Sequence, residues 1–364
     1  MDFSIQLIRW YHHHRRSLPW RKTTDPYRIW VSEIMLQQTT VNAVIPYFEK
    51  WLKLFPDVRA LAGAPVQKVL KAWQGLGYYQ RAKNLHSAAQ IILKKYQGRI
   101  PRDYAELAGL PGFGPYITAA VLSLAFDKPF PVMEANVRRV MMRIVRLRGE
   151  AVSKNDKILL SHLGSYFPQK NFGVFNQALM ELGALICRAR NPLCLQCPVQ
   201  PFCQAYSHGE QEVIPRPRKR STRRIEAVVG IIQKEGQYLI QKRPSSGLLA
   251  DLWEFPGGKR RTRETLLHTL HREIKEELGA EVKQARLLTK VRHSYTQFQV
   301  SLYVYECRLK NAPRFQHKRQ RWVKLSSLRN YPLPSGSAKI VRFLESLKKK
   351  SGSRDGFQKI GTCP

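Results

Sequence analysis

The segment CRARNPLCLQCPVQPFC, residues 187–203, places four cysteines at the spacings C-x6-C-x2-C-x5-C. Thiolates this close in sequence can converge on one [4Fe-4S] cluster, because each is a soft anionic ligand and the loops between them are short. A zinc site is the alternative, but zinc sites usually combine two paired Cys/His knuckles, whereas this series has a single C-x2-C. The spacing therefore predicts one [4Fe-4S] cluster. Its ligands would be Cys187, Cys194, Cys197 and Cys203.

A second segment, LPGFGPYITAAV at residues 110–121, is typical of a helix-hairpin-helix turn. Gly112 and Gly114 would allow tight backbone geometry, and the N–H groups that open the following helix can hold a phosphate. The segment is followed by FPVMEANVRRV at residues 130–140 and then by the four cysteines. Together these segments predict a DNA-binding helical domain.

The composition indicates a polyanionic partner. The chain carries 62 Lys and Arg against 26 Asp and Glu, a formal net charge of +36. Such an excess attracts polyanions and holds phosphates through counterion release, although charge alone does not separate DNA from RNA or an anionic membrane. With 364 residues, of which 43% are hydrophobic, the chain can fill two ordinary cores, which excludes a disordered basic tail protein.

The sequence carries no sign of membrane insertion or secretion. No apolar stretch approaches the roughly 18 to 20 residues of a membrane span, and the segment MDFSIQLIRWYHHHRR lacks the apolar region and cleavage site of a signal peptide. Thiols arranged as cluster ligands fit a reducing compartment. We therefore expect a bacterial-type cytoplasmic protein that is monomeric, has no membrane partner and is associated with the nucleoid through DNA.

Periodicity divides the chain into two domains. Apolar residues recur at helical spacing over residues 5–203, which predicts an all-α domain over residues 1–212. The stretch RPRKRSTRR, residues 216–224, holds six basic residues and no apolar side chain, so residues 213–226 are predicted to be a basic linker that lies along phosphate. A plain solvated linker is the alternative.

The pattern after the linker is that of strands around one helix. Residues 228–232 and 238–242 flank Glu235-Gly236 as in a hairpin, and residues 266–278 have helical spacing. Val300, Leu302 and Val304 alternate with the residues between them as in a half-buried strand. We predict an α+β domain over residues 227–347, followed by a basic disordered tail over residues 348–364.

A carboxylate stands within an apolar helical segment, PYRIWVSEIMLQQTTV at residues 26–41. Glu33 and Gln37 are at i and i+4, so a helix would bring the carboxylate and the amide onto one face. The neighbours of Glu33 are apolar, and burial in such a setting raises the pKa of a carboxyl group. Glu33 is therefore a candidate general acid.

Several blocks resemble the MutY-type adenine DNA glycosylases of the endonuclease III superfamily, over nearly the whole chain. Members of this family remove adenine mispaired with 8-oxoguanine, and they must extrude the base because its glycosidic bond is out of reach inside the duplex. The resemblance thus implies a duplex DNA partner with an 8-oxoguanine:adenine or guanine:adenine mispair. The blocks are LPWR (18–21), SEIMLQQT (32–39), GLGYYQRAKNLH (75–86), LPGFGPY (110–116) and FNQALMELGALIC (175–187).

The resemblance also implies roles for individual residues. Glu33 would protonate the adenine and assist its departure, while Gln38 and Tyr78 would wedge into the base stack. Tyr116 occupies the position at which bifunctional relatives carry a Schiff-base lysine, so a monofunctional glycosylase is expected. Trp20, Arg21 and Gln177 would line the adenine pocket, and Asn136 would belong to the catalytic residues. Contacts to DNA are implied for Leu36, Arg81, Gly112 and Gly114.

One position departs from the family pattern. In VMEAN, residues 132–136, Glu134 replaces the aspartate that stabilises the oxocarbenium-like sugar, and Ala135 replaces a glycine. Either acid can supply negative charge beneath a developing cation. The extra methylene moves that charge by about 1 Å, and such a misplacement can cost on the order of 10²-fold in rate. We expect an active enzyme, with a catalytically impaired mismatch binder as the alternative.

The second domain contains a complete Nudix box, G-x5-E-x7-REIKEELGA, which begins at Gly258 and follows the residues WEFPG. On a helix, Glu273, Glu276 and Glu277 lie at i, i+3 and i+4, a cluster that could bind Mg²⁺ and, through it, a pyrophosphate. Three solvated surface acids are the alternative. A Nudix pyrophosphohydrolase of oxidised nucleotides, delivered to DNA by its helical domain, is therefore a second hypothesis for the function.

MutY-type enzymes resemble the 8-oxo-dGTP hydrolase MutT in their C-terminal domain, which recognises 8-oxoguanine and usually has an eroded Nudix box. The family's recognition loop corresponds to HSYTQ at residues 293–297, with Gln297 in place of the last histidine. Tyr295 and Thr296 can still supply stacking and a hydrogen bond to the oxidised base. The expected architecture is thus an all-α helix-hairpin-helix glycosylase with a [4Fe-4S] loop, followed by an α+β Nudix-like domain.

Overall fold

The computed structural model of this chain describes residues 2–217, 222–295, 298–316 and 319–351, without the side chains of Tyr295, Lys350 and Ser351. Residues 2–64 and 81–217 form one unit. Residues 65–80 belong with residues 222–351 in a second unit, although they lie within the helical half of the sequence.

The first unit is built from helices only, as far as residues 2–64 and 81–217 are concerned. Aspartates begin several of them, because an aspartate side chain accepts the free N–H groups of a first helical turn, as Asp25 and Asp103 do. The helices are α1 (Phe3–His14), α2 (Pro26–Leu36), α3 (Val41–Leu54), α4 (Val58–Ala62), α6 (Gln80–Tyr96), α7 (Tyr104–Ala108), α8 (Pro115–Phe126), α9 (Ala135–Ile144), α10 (Asp156–Gly164), α11 (Phe172–Leu185) and α12 (Gln204–Ser207), and α5 (Val66–Ala72) lies in the second unit.

The core of the first unit forms where α1, α9 and α11 bury their apolar faces together. Leu7, Met141 and Phe175 are fully enclosed in it. The cysteine loop that follows α11 packs against the same core. Burial of this apolar surface holds α9 and α11 together, and both helices carry polar residues of the site.

A six-stranded mixed sheet dominates the second unit, in the order β3-β2-β1-β5-β4, with β6 paired to β2. β1 and β5 are parallel and the other pairs are antiparallel. The β1-β2 hairpin turns at Glu235-Gly236, as the sequence predicted. The elements are β1 (Arg223–Lys234), β2 (Gln237–Lys242), β3 (Trp253–Glu254), α13 (Leu266–Leu278), β4 (Val282–Tyr295), β5 (Phe298–Leu309), β6 (Gln320–Lys324) and α14 (Ser335–Ser351).

The prediction of a half-buried β5 is wrong in detail, because helices cover both faces of the sheet. Val304 packs in a core that includes Ile340 and Leu344 of α14. Tyr305 faces the other way and packs in a core that includes Leu270 of α13. A strand that has a helix on each face of its sheet thus buries side chains of both alternating sets.

No helix in the described part of the chain combines the length and the apolar character needed to cross a bilayer. The predicted tail lies partly in α14, which continues to Ser351, and residues 352–364 lie outside the described residues.

Candidate active site

A cavity of about 270 Å³ opens between α2, α8, α9 and α11 of the first unit. This is close to the lower end of the roughly 300–1,000 Å³ of small-molecule sites. The cavity brings together residues that lie far apart in sequence. Among its lining residues are Trp20, Arg21, Glu33, Leu36, Tyr116, Glu134, Asn136 and Gln177, all of which were predicted site residues.

Glu33 is the buried acid of this cavity. Its residue surface is 3% exposed, and one carboxylate oxygen, Oε2, accepts a hydrogen bond from the hydroxyl of Tyr116. Burial raises the pKa of Glu33 from its ordinary value of 4.5 to about 7, and the charge of Glu134 adds to the rise. The Tyr116 hydrogen bond and the charge of Arg21 oppose the rise without cancelling it. Glu33 is thus poised to hold or release a proton near neutral pH.

Gln37 directly follows α2 and is not among the described residues that line the cavity. Helix α2 ends at Leu36, and Gln37 already has a non-helical ψ of 112°. Because the φ of Gln37 is a helical −57°, its ψ redirects only the chain that follows, and the placement of Gln37 and Glu33 on one helical face stays a prediction.

Glu134 begins helix α9 and is held by the backbone of that helix. Its carboxylate accepts hydrogen bonds from the N–H groups of Asn136 at 2.8 Å and Val137 at 2.9 Å. These two donors are helix N–H groups that have no partner within the helix. The longer side chain thus still makes the contacts that a capping aspartate would make.

Tyr116 lies in the first turn of α8, and burial raises the pKa of its hydroxyl well above 10.0, with the charge of Glu33 as the next cause. The hydroxyl therefore stays protonated and donates to Glu33. None of the described residues that line the cavity is a lysine.

A buried ion-pair network lies on the α11 side of the cavity, and sequence reasoning did not identify it. The carboxylate of Glu181 accepts hydrogen bonds from the guanidinium groups of Arg16, at 2.6 and 2.9 Å, and of Arg21, at 2.9 Å twice. Burial acts to raise the pKa of Glu181, but these hydrogen bonds outweigh it and hold the pKa at about 2. A lone acid within the apolar α11 was the available signal, and Gln177 stands four residues before it.

Two further contacts shape the cavity wall. The side-chain oxygen of Gln177 accepts a hydrogen bond of 2.9 Å from the hydroxyl of Tyr11. The buried indole of Trp20 meets the ring of Phe48 edge to face, with 5.4 Å between ring centroids. These contacts restrict the positions of both lining side chains.

The predicted DNA-contacting residues outside the cavity occupy distinct settings. Gln38 follows α2, is exposed and has a positive φ of 57°. Tyr78 also has a positive φ, of 49°, and belongs to the second unit. Arg81 is buried, and its guanidinium donates to the carbonyl oxygens of Ile34 and Met35 near the end of α2.

The predicted hairpin joins α7 to α8. Gly112 has a φ of 83°, and a Cβ atom there would lie 3.0 Å from the Cβ of Asn84, so glycine is required at this position. Gly114 has an ordinary φ of −73° and open space around it, so no such requirement exists there. It begins α8 without a side-chain cap, which leaves backbone N–H groups available to an anion.

The four cysteines of the loop line one small cavity of about 20 Å³ together with Arg143. No three His, Cys, Asp or Glu side chains among the described residues are grouped as a site for a metal ion. A four-iron cube holds its ligands on separate irons, so its thiolates stand further apart than those around a single ion. Four cysteines that line one space are the donor set that a [4Fe-4S] cluster takes.

Two arginines of α9 hold the start of this loop. The buried guanidinium of Arg143 lies 3.3 Å from Sγ of Cys187 and donates to the carbonyl oxygens of Arg188 and Ile214 at 2.7 Å. Arg139 donates to the carbonyl oxygen of Cys187 at 2.9 Å and to the side-chain oxygen of Asn136 at 2.9 Å. Neither arginine was predicted as a site residue.

The Nudix box of the second unit contains internal ion pairs. The guanidinium of Arg272 contacts Glu264 at 2.7 Å, Glu273 at 2.7 Å and Glu276 at 3.1 Å. Glu277 accepts the N–H of Gly257 at 2.9 Å, and burial raises its pKa to about 7. Within the described part of the chain the three predicted Mg²⁺ ligands are not grouped as a metal site, so Mg²⁺ stays a prediction.

A basic groove of about 1290 Å³ crosses the second unit beside the box. Glu226 is the single acidic side chain among the described residues that line it, and it pairs with Arg260 at 2.6 Å. His293 also lines the groove, whereas the predicted contacts of Tyr295 and Thr296 lie outside the described residues or side chains. The basic lining residues are Arg224, Lys259, Arg260, Arg261, Arg263, Lys290, Arg292 and Lys339.

Comparisons with known families match both parts of the chain. A model described as an HhH-GPD superfamily base excision DNA repair protein matches residues 31–164, and a NUDIX domain model matches residues 227–342. The solved structure of a thermostable thymine-DNA glycosylase has 31% sequence identity and a TM-score of 0.52, covering 57% of this chain and 95% of its own. The helical unit is thus a base excision repair domain.

Curated relatives extend the match over the full chain. The adenine DNA glycosylase of Buchnera aphidicola subsp. Schizaphis graminum (strain Sg) is 32% identical over 94% of this chain and 99% of its own length. That of Mus musculus is 31% identical over 100% of this chain and 81% of its own. The chain belongs to the adenine DNA glycosylase family, so it is a hydrolase of N-glycosyl bonds with DNA as its substrate. The predicted family and fold class are confirmed.

Proposed function

We propose that this chain releases adenine mispaired with 8-oxoguanine or guanine in duplex DNA, with Glu33 as the general acid. The observation that carries the proposal is a buried carboxyl group with a pKa of about 7 in a cavity of about 270 Å³. Half of such groups carry a proton near neutral pH, which suits protonation of a departing base.

The other lining residues have complementary roles. The adenine is extruded from the duplex into the cavity, where Trp20 and Gln177 contact it. Protonation by Glu33 makes the base a better leaving group, and the carboxylate of Glu134 stabilises the positive charge that develops on the sugar. Tyr116 holds the Glu33 carboxyl in place, and its position, where bifunctional relatives carry a lysine, supports a glycosylase without a lyase step.

The four cysteines hold a [4Fe-4S] cluster, which organises the loop after α11 and supplies a positive centre for their thiolates. The second unit recognises the lesion strand, and its basic groove supports this role because eight cationic side chains attract phosphate. Its Nudix box serves as a structural element, whether or not it binds Mg²⁺. The protein acts as a monomer on the bacterial nucleoid.

The test is Glu33→Gln, assayed on a duplex with one 8-oxoguanine:adenine pair. The amide keeps the shape of the side chain and loses the proton, so single-turnover release of adenine should fall by at least about 10²-fold. Binding to the same duplex should change little. Glu49→Gln, an exposed acid on α3, is the matched control and should behave like the parent.

Strand breaks should appear only after alkali, and borohydride should trap no covalent complex. Adenine release by Glu33→Gln within tenfold of the parent would refute the general-acid role. A nucleoside monophosphate formed from a triphosphate, with no free adenine from the duplex, would instead support a Nudix pyrophosphohydrolase.

A further inference from the structure

Residues 65–80 are built into the second unit by a set of side-chain hydrogen bonds. The amide of Gln67, on α5, donates to the carbonyl oxygen of Asp251 at 3.0 Å and accepts from the indole Nε1 of Trp253 at 2.9 Å. Both ends of this amide are therefore used. Lys71, one helical turn later, donates to the carbonyl oxygen of Tyr331 at 3.3 Å.

A third anchor follows the helix. The hydroxyl of Tyr79 donates to the carbonyl oxygen of Leu333 at 3.2 Å, and the Tyr79 residue is only 5% exposed. Trp253 and Leu333 are themselves buried in the core beside α14. Gln67, Lys71 and Tyr79 thus contact the second unit at or beside its buried core, and we call them the anchor residues.

The anchor residues flank a strained loop. Between Lys71 and Tyr79 the chain reads AWQGLGY, in which Gly75, Gly77 and Tyr78 have φ values of 113°, 74° and 49°. Glycine adopts such values readily, but an aromatic residue does so only when its surroundings hold it there. The indole of Trp73 donates to the carbonyl oxygen of Gly77 at 3.0 Å, which fixes the loop from within.

We propose that the second unit positions the Tyr78 loop for base extrusion, through the anchor residues. The proposal rests on the proposed function and on the role that the family resemblance implies for Tyr78, which is to wedge into the base stack. To wedge between stacked bases, a side chain must keep its position against their resistance. A loop in an unfavourable backbone conformation can hold a side chain in this way only if both ends of the loop are fixed. The anchor residues are positioning residues, because they act through Tyr78.

The experiment measures extrusion apart from chemistry. The probe is a duplex in which 2-aminopurine, fluorescent when unstacked, stands opposite 8-oxoguanine, and every variant also carries Glu33→Gln so that no base is released. Gln67→Leu combined with Tyr79→Phe should slow the fluorescence rise by about tenfold, the effect of losing hydrogen bonds that hold one conformation. The double variant should also melt somewhat earlier than the parent, because the buried indole N–H of Trp253 loses its acceptor.

Tyr27→Phe is the matched control, because Tyr27 is also a buried tyrosine whose hydroxyl donates to a carbonyl oxygen, that of Phe55 at 2.8 Å. It should leave the fluorescence rise unchanged. Equal slowing in Tyr27→Phe, or an unchanged rise in the double variant, would overturn the proposal. Tyr79→Phe alone, which removes one oxygen atom, keeps the test valid if the double variant melts early.

The two proposals fail in different ways. If the parent releases no adenine, the proposed function is wrong, yet the fluorescence still reports whether the anchor residues control extrusion. If the parent releases adenine and the double variant extrudes the base at the parent rate, only the anchoring proposal is wrong.

Discussion

The surroundings of Glu33 set the pKa of its carboxyl group. A carboxyl group on a surface helix would titrate near 4.5, and the same group enclosed by α2 and α8 titrates at about 7. Glu181 lies equally buried in the same unit, but its pKa is about 2 because two guanidinium groups offset the effect of burial. One cavity thus contains an acid that is half protonated near neutral pH and one that is ionised, and only the first can donate a proton there.

The pKa of Glu33 predicts a pH dependence. The protonated form is the active one, so single-turnover adenine release should fall as pH rises above about 7 and level off below it. Tyr116→Phe removes a hydrogen bond that favours the charged form of Glu33. Its loss raises the pKa, so the alkaline fall should move to higher pH. Tyr27→Phe should leave the profile in place, whereas a flat profile, or a shift to lower pH in Tyr116→Phe, would exclude Glu33 as the titrating acid.

At the scale of elements, the starts of helices carry much of the site. Helix α9 begins at Glu134, which accepts two N–H groups and faces the cavity at the same time. Helix α8 begins at Gly114 without a cap and carries Tyr116 in its first turn. The N–H groups at the start of α9 therefore hold Glu134 at the cavity, and the first turn of α8 places Tyr116 there.

Glu134 is expected to combine a structural role with its catalytic one. Glu134→Ala should lower the free energy of unfolding by about 1 kcal/mol, because two N–H groups of α9 lose their acceptor. Glu134→Asp should keep that free energy, since aspartate is a preferred capping residue. Urea denaturation measures both, and the single-turnover rate on the 8-oxoguanine duplex should fall much further in the alanine variant. An aspartate variant as unstable as the alanine variant would show that the capping contacts do not stabilise the helix.

The two glycines of the hairpin are expected to differ. Gly112→Ala meets both a positive φ and the nearby Asn84 side chain, so it should cost roughly 1–2 kcal/mol of stability. Gly114→Ala is the matched control, because its φ is ordinary and nothing lies within 4 Å of the added carbon. Equal melting temperatures for the two variants would contradict this assignment. If a phosphate binds at the start of α8, the DNA affinity of Gly114→Ala should nevertheless decrease.

At the scale of the whole molecule, the proposed cluster of the cysteine loop and the net charge of +36 both imply partners from outside the chain. Burial raises the pKa of the Cys197 thiol to about 12, so its thiolate form needs a positive centre beside it. In the same way, DNA phosphates would neutralise the charge of the cationic surface. Without DNA, the cationic side chains repel one another. Without the cluster, the buried thiols stay neutral.

We expect the purified protein to be brown, with broad absorbance near about 400 nm and roughly four irons per chain. Cys197→Ser should lose iron and reduce folded yield or DNA affinity more than the rate of adenine release by the folded fraction. Cys307→Ser is a useful control, because Cys307 is a buried cysteine of the second unit far from the loop in sequence. Stoichiometric zinc without the brown colour would show that the four cysteines bind zinc and not an iron-sulfur cluster.

The sequence by itself determined which chemical groups are present and how they are spaced locally. The cysteine loop, the hairpin glycine at position 112, the Nudix box and the acid at position 33 were all evident, because each depends on residue type and short-range periodicity. The helix of residues 266–278 was predicted with its observed bounds for the same reason.

Only the tertiary structure decided which distant residues meet. Glu181 pairs with Arg16 and Arg21 across about 160 residues of chain, and no local pattern encodes such a contact. Packing also placed a second helix against β5 and joined residues 65–80 to the second unit. The physical reason is that local preferences act between near neighbours, whereas burial and hydrogen bonding between remote segments depend on how whole elements pack together.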